Sequence, residues 1–113
     1  LIDRFIDSTI AYQHYGMGVN LNLIKIINRF LLKDIKVDFT FLNIVNKKNM
    51  AIRLKKRKKL NRYDKFNFSF YAKVQKGFLM QSKKRPKYYK IIDSNLDISI
   101  NKKIILNKIK KII

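Results

Sequence analysis

Apolar and polar positions divide the chain into a few clear elements. Leu23, Ile24, Ile27, Phe30 and Leu31 recur at three- and four-residue spacings, which predicts an amphipathic helix over residues 20–31. Phe66, Phe70, Val74 and Phe78 recur every fourth residue, with Tyr71 and Leu79 beside them, and make the clearest helix of the chain. Ile105, Ile109, Ile112 and Ile113 line one face of a C-terminal helix. Asn46 is placed to cap a further helix that carries Met50 and Leu54 on one face. Between these lie stretches of another kind. Val37 to Val45 is β-branched and aromatic and reads as a strand buried largely on both faces, the habit of parallel sheets covered by helices. Tyr88 to Asp93 reads as a second strand after Pro86, and Leu1-Ile2 as the end of another. Asp7 or Ser8 can cap a helix reaching about Gly16, with Gly16 and Gly18 breaking it. The order is strand stub, two helices, strand, two helices, strand, helix, without an internal repeat or a linker. Such alternation implies an α/β layered domain with a parallel sheet flanked by helices.

Composition narrows the chemistry. With 113 residues, 47% of them hydrophobic, the chain suits one domain or a piece of one and can build a core. No cysteine and a single histidine exclude disulfides, thiolate nucleophiles and a Cys/His metal cluster. The lack of cysteine fits a reducing cytoplasm, and neither a membrane-length apolar run nor a signal-peptide pattern is present. A net charge of +20 attracts phosphates of any kind. Heavy use of Lys, Ile and Asn with three glycines and one proline also fits compositional drift, which accounts for many surface lysines without a function.

Chemistry concentrates at the start. Asp3-Arg4 follows the strand stub, and ligands of open parallel sheets bind at the carboxyl ends of strands. An arginine there can fork onto a phosphate, although for the dipeptide alone a structural Asp–Arg pair is the favoured reading. Thr9, Tyr12 and Gln13 fall on one side of a helix, offering donors and acceptors for a base edge and an aromatic wall; a capped, water-facing helix is the plain alternative. Six basic residues lie between positions 55 and 64 (Lys55, Lys56, Arg57, Lys58, Lys59 and Arg62). They suit a solvated face, a nucleic-acid patch, or a lid closing over a triphosphate, where Arg57 and Arg62 are the better phosphate holders. Tyr71 and Tyr88 read as half-buried tyrosines rather than base-stacking ones, and His14 has no evident orienting partner. No G-x-x-x-x-G-K-[ST] loop occurs anywhere in the chain.

Three motifs in order resemble bacterial thymidylate kinases. They are Asp3-Arg4-Phe5 followed by Ser8-Thr9-Ile10-Ala11-Tyr12-Gln13, then Val37-Asp38-Phe39-Thr40 where the family begins a strand with Pro-Asp-x-Thr, then the basic run ending Leu60-Asn61-Arg62-Tyr63-Asp64 where the family has Leu-Asp-Arg-aromatic-Glu. The resemblance runs from Asp3 to the C-terminal helix. It implies a partial P-loop kinase-type three-layer fold, its first strands missing, and a chain that is the C-terminal portion of one kinase domain, with a lid at about 55–64. It implies phosphorylation of dTMP to dTDP with ATP and Mg2+. Arg4 would hold the dTMP phosphate, and Asp3 would help organise the phosphate and magnesium region. Thr9 and Gln13 would lie near thymine, and Tyr12 would pack on the deoxyribose. Arg57 and Arg62 would close over the ATP phosphates, while Asn61 and Asp64 depart from the family's lid. The family has a phosphate loop and two strands upstream, one of them between the stub and the Val37–Val45 strand. This chain is therefore expected to need that segment, to be inactive and poorly ordered alone, and to be a cytoplasmic homodimer when intact, with the 20–31 helix contributing. A small basic nucleic-acid-binding module is the alternative reading.

Overall fold

The computed structural model describes residues 1–56 and 68–113. Helix α1 (Ile6–Thr9) runs directly into a π-helical segment, Ile10–Gly16. Helix α2 (Leu21–Leu31) follows, then strand β1 (Thr40–Ile44), helices α3 (Lys47–Lys56) and α4 (Phe68–Lys84), a single 3-10 turn at Pro86–Tyr88, strand β2 (Tyr89–Asp93) and helix α5 (Ile98–Ile112). The two strands pair in parallel, Thr40 opposite Tyr89 through Ile44 opposite Asp93, and the Ser94 amide extends the ladder to the Ile44 carbonyl at 2.8 Å. Aligned residues of a parallel ladder point to the same side, so Leu42 and Ile92, one register step apart, point to opposite faces. Both are buried, at 7% and 1% exposure, so each face of the sheet is covered in part, as in a layered α/β fold, while Ile91 beside Leu42 is 44% exposed.

Burial is strongest where α4 meets the π segment. Ala11, Phe70 and Val74 form the core cluster, with Tyr12, Tyr71 and Phe78 packed against it. The close approach depends on glycine. A Cβ on Gly77 would stand 2.7 Å from the Tyr15 ring, and one on Gly16 would stand 2.6 Å from Phe70 Cε2. Gly18 has a different role: at φ +78° it turns the chain, and its amide and that of Val19 reach back to the His14 and Gln13 carbonyls. Polar clamps complete the frame. The Gln75 side chain pairs with both backbone groups of Val45, accepting from its amide at 3.0 Å and donating to its carbonyl at 2.9 Å. This ties α4 to the end of β1.

Several expectations are revised. Leu1 and Ile2 are exposed and form no strand; an isolated strand end has no neighbour here to take its backbone bonds. Neither Asp7 nor Ser8 caps the first helix. Phe5 occupies that position without a side-chain bond, and Asp7 instead accepts a hydrogen bond from the Tyr89 hydroxyl at 2.5 Å. The first strand is shorter than Val37–Val45 and only Leu42 in it is buried, so it is half-covered rather than buried throughout. Helix α2 forms with Asn20 as its cap, yet of its apolar residues only Ile24 is buried. In α5 no residue is buried, and Ile112 and Ile113 are exposed. The Asn46 cap is present as expected, accepting from the Asn49 amide at 2.8 Å.

Candidate functional site

The Arg4 segment and α1 lead into the π segment, whose i→i+5 bonding widens each turn and shifts side chains from their α-helical directions. Tyr12 thereby points toward α4, its ring 6.0 Å from that of Phe70 and 6.4 Å from that of Phe78. Arg4 lies above it. The guanidinium carbon is 5.5 Å from the Tyr12 ring centre, and Nη1 donates a long bond to the Tyr12 hydroxyl at 3.4 Å. Arg4 has φ +64°, the left-handed region that a side-chain-bearing residue enters only at a cost. Strain of this kind, on the order of 1–3 kcal/mol, gathers at ligand sites.

Both side chains line a cavity of about 340 Å³ at the carboxyl end of β1. Asn43 and Val45 contribute from the strand, Met50, Arg53 and Leu54 from α3, and Tyr71, Val74, Gln75 and Phe78 from α4. The floor is apolar and aromatic. Polar groups enter from the rim, two of them guanidiniums. The Arg53 guanidinium is held by donating to the Ser94 carbonyl at 2.8 Å. A flat apolar floor with two planar cations at its rim suits a ring system that carries an anionic group. This is also where ligands of parallel α/β sheets bind.

The structure brings together Arg4 and Tyr12 of the expected residues. Thr9 is exposed on α1, and Gln13 is half-buried; neither lines the cavity. Asp3 is exposed and also lies outside the lining. Arg57 and Arg62, with Phe66, fall outside the described residues. Tyr71 is half-buried as expected, but it also walls the cavity, its ring packed edge-on against Phe70 at 5.4 Å. Arg53, Asn43 and Gln75 were missed. Arg53 had a signal, since Met50, Arg53 and Leu54 stand at i, i+3 and i+4 and share the face on which the apolar pair was recognised. Tyr89, outside the cavity, links Asp7 to β2; burial first and the Asp7 carboxylate second push its phenol well above the ordinary range.

A family model described as thymidylate kinase matches residues 1–105. The chain belongs to the thymidylate kinase family. Among similar proteins is a thymidylate kinase of Wolbachia sp. subsp. Brugia malayi, 45% identical over 69% of this chain and 36% of that protein. Another is a thymidylate kinase of Mycoplasma capricolum, 38% identical over 96% of this chain and 54% of that protein. The crystal structure of thymidylate kinase from Ehrlichia chaffeensis superposes with a TM-score of 0.64 at 32% identity, covering 98% of this chain and 50% of that one. That likeness gives the fold as the P-loop kinase type expected from the motifs. The chain spans about half the length of the relatives it matches, from 36% to 57% of those compared. The match runs through the cavity and both strands, so a stand-alone nucleic-acid module is not the favoured reading. Among the described residues no helix is long and apolar enough to cross a membrane.

Proposed function

We propose that this chain supplies the acceptor half of a thymidylate kinase, binding dTMP for phosphorylation to dTDP by ATP. The observation that carries this is Arg4, held at φ +64° over Tyr12 on the rim of the cavity. Its guanidinium is aimed to take the phosphate of dTMP, with Arg53 as a second cation on the same rim. The deoxyribose packs on Tyr12, and thymine lies toward the floor formed by Tyr71, Val74 and Phe78. Thr9 and Gln13 reach the base only if α1 and the π segment shift on binding. Asp3 organises the phosphate region next to Arg4, and Arg57 and Arg62 belong to a lid segment at about 55–64 that closes on the ATP phosphates.

The donor side is built only in part from these residues. The sequence holds no phosphate loop. Among the described residues no group of three or more His, Asp or Glu side chains could hold a metal ion by itself; Mg2+ that travels with a nucleotide needs one or two carboxylates besides the phosphates, and Asp3 beside Arg4 is the carboxylate this chain would offer. The phosphate loop that cradles ATP is assigned to a complementing N-terminal segment, with Arg57 and Arg62 of this chain closing over the same phosphates. The apolar faces of α2 and α5 are where that segment and a second copy pack in a cytoplasmic homodimer.

Calorimetric titration of the chain with dTMP and with thymidine tests the acceptor assignment. A charge-assisted arginine–phosphate bond contributes about 1.5–3 kcal/mol, so dTMP should bind at least about tenfold more tightly than thymidine. Arg4→Ala should erase that difference. Equal affinity for the two ligands in the unsubstituted chain would overturn the assignment.

A further inference from the structure

A second cavity, about 450 Å³, lies at the opposite end of the sheet from the acceptor site. It opens where Phe39 leads into β1, where Lys87, Tyr89 and Lys90 begin β2, and where the last turns of α5 bring up Lys108 and Lys111. Four of its nine lining residues are lysine and none is acidic. Exposed lysines are common in a chain with 27 basic residues in 113, and what marks this groove is that four of them converge on one aromatic and apolar wall. Lys108 and Lys111 also suit the negative end of helix α5, which explains their sign but not that of Lys87 and Lys90 across the groove. Lys108 is half-buried, with Nζ 4.7 Å from the centre of the Phe39 ring, so one charge is drawn inward over an aromatic face. Tyr89 is fixed from behind by its bond to Asp7 and presents a rigid ring to the groove.

Cations around an aromatic and apolar wall, in a cavity of ligand size, fit a phosphate joined to a flat ring. We propose that this groove is a second binding site, separate from the acceptor cavity, for a nucleotide unit. Lys87, Lys90, Lys108 and Lys111 hold the phosphates, and the ring lies along the Tyr89 side. The unit is either a free nucleoside polyphosphate or one residue of a single strand, since both present the same groups. This inference does not rest on the acceptor assignment.

Two variants with the same net charge separate a built site from a diffuse positive field. Lys108→Glu/Lys111→Glu alters the groove, and Lys25→Glu/Lys33→Glu removes the same charge from exposed positions on and after α2. Binding of ATP, and of an eight-residue oligothymidylate as a competitor, is measured on the full chain at fixed salt, with circular dichroism confirming that each variant is folded. The groove variant should weaken ATP at least about tenfold, the remote variant less than about twofold, and Arg4→Ala should leave this binding in place. Should the glutamates unfold the chain, Lys108→Gln/Lys111→Gln reports the same loss at smaller size. Competition by the oligothymidylate assigns the site to single strands, and its absence assigns it to free nucleotides; the proposal stands in either case. Equal losses in the two charge variants, or loss in Arg4→Ala without loss in the groove variant, would overturn it.

Discussion

Helix α4 and helix α2 carry the same hydrophobic rhythm and end in opposite situations. In α4 the stripe is spent on packing, since Phe70, Val74 and Gly77 are buried against the π segment. In α2, Leu23, Ile26, Ile27, Phe30 and Leu31 all face outward, Phe30 at 80% exposure. Helix α5 resembles α2, with no buried residue along its 15 positions. Each large apolar side chain left in water forgoes about 1.5–3 kcal/mol of burial. Periodicity therefore reports a face that wants cover, and only the neighbouring chain decides whether cover is there. An exposed apolar face of this size marks an interaction surface. It accords with a chain that spans about half the length of its relatives, from 36% to 57% of those compared.

The contrast can be broken most forcefully at its two extremes. Phe70→Ala should cost about 3–5 kcal/mol in a denaturant melt, while Phe30→Ala in the same chain should change stability by less than about 0.5 kcal/mol. Comparable losses would mean that α2 is covered in solution. Next comes the close approach within the packed region. Gly77→Ala drives a methyl group into Tyr15 and should cost about 1–3 kcal/mol, although alanine is otherwise the better helix former. An unchanged or raised midpoint would show that the π segment is not held tightly on α4.

A third test concerns the bond between Asp7 and Tyr89. The folded phenol is raised above its unfolded value, so its contribution is fully present below pH of about 10 and is lost as pH rises above that, because the unfolded chain gives up the proton first. Stability should therefore fall more steeply above pH of about 10 in the unsubstituted chain than in Tyr89→Phe. Parallel curves would remove this bond from the account. The smallest effect is expected at Arg4. Glycine accepts a left-handed backbone freely, so Arg4→Gly should be about 1 kcal/mol more stable than Arg4→Ala, while both lose the preference for dTMP over thymidine. Equal stability would mean that the +64° conformation carries no strain.

Much of this was legible in the sequence, for identifiable reasons. The helices around Ile24, Met50 and Phe70 and the strands at Phe41 and Ile91 follow from local patterning, and Asn46 is found as a cap because its short side chain can reach the helix amides. The motif that carries Arg4 and Tyr12 points to two residues that the fold brings together on one cavity. Three things were hidden. The π segment, packed on α4, has no signature in local spacing, and Thr9 and Gln13 lie outside the cavity that Tyr12 lines. Asp7 looked like a cap, yet its partner is Tyr89, a residue 82 positions away that no local rule supplies. Gln75 is a polar residue in an apolar stripe; its meaning appears only when Val45, 30 positions earlier, is folded against it.

The central proposal is that this cavity binds dTMP through Arg4 and serves phosphorylation once a phosphate loop is supplied. The most direct measurement is dTMP-dependent ATP consumption by this chain, alone and mixed with a phosphate-loop-bearing N-terminal segment of a related thymidylate kinase. The account predicts no turnover by the chain alone and turnover in the mixture that is lost with Arg4→Ala. Turnover by the isolated chain, or a mixture indifferent to Arg4, would contradict it.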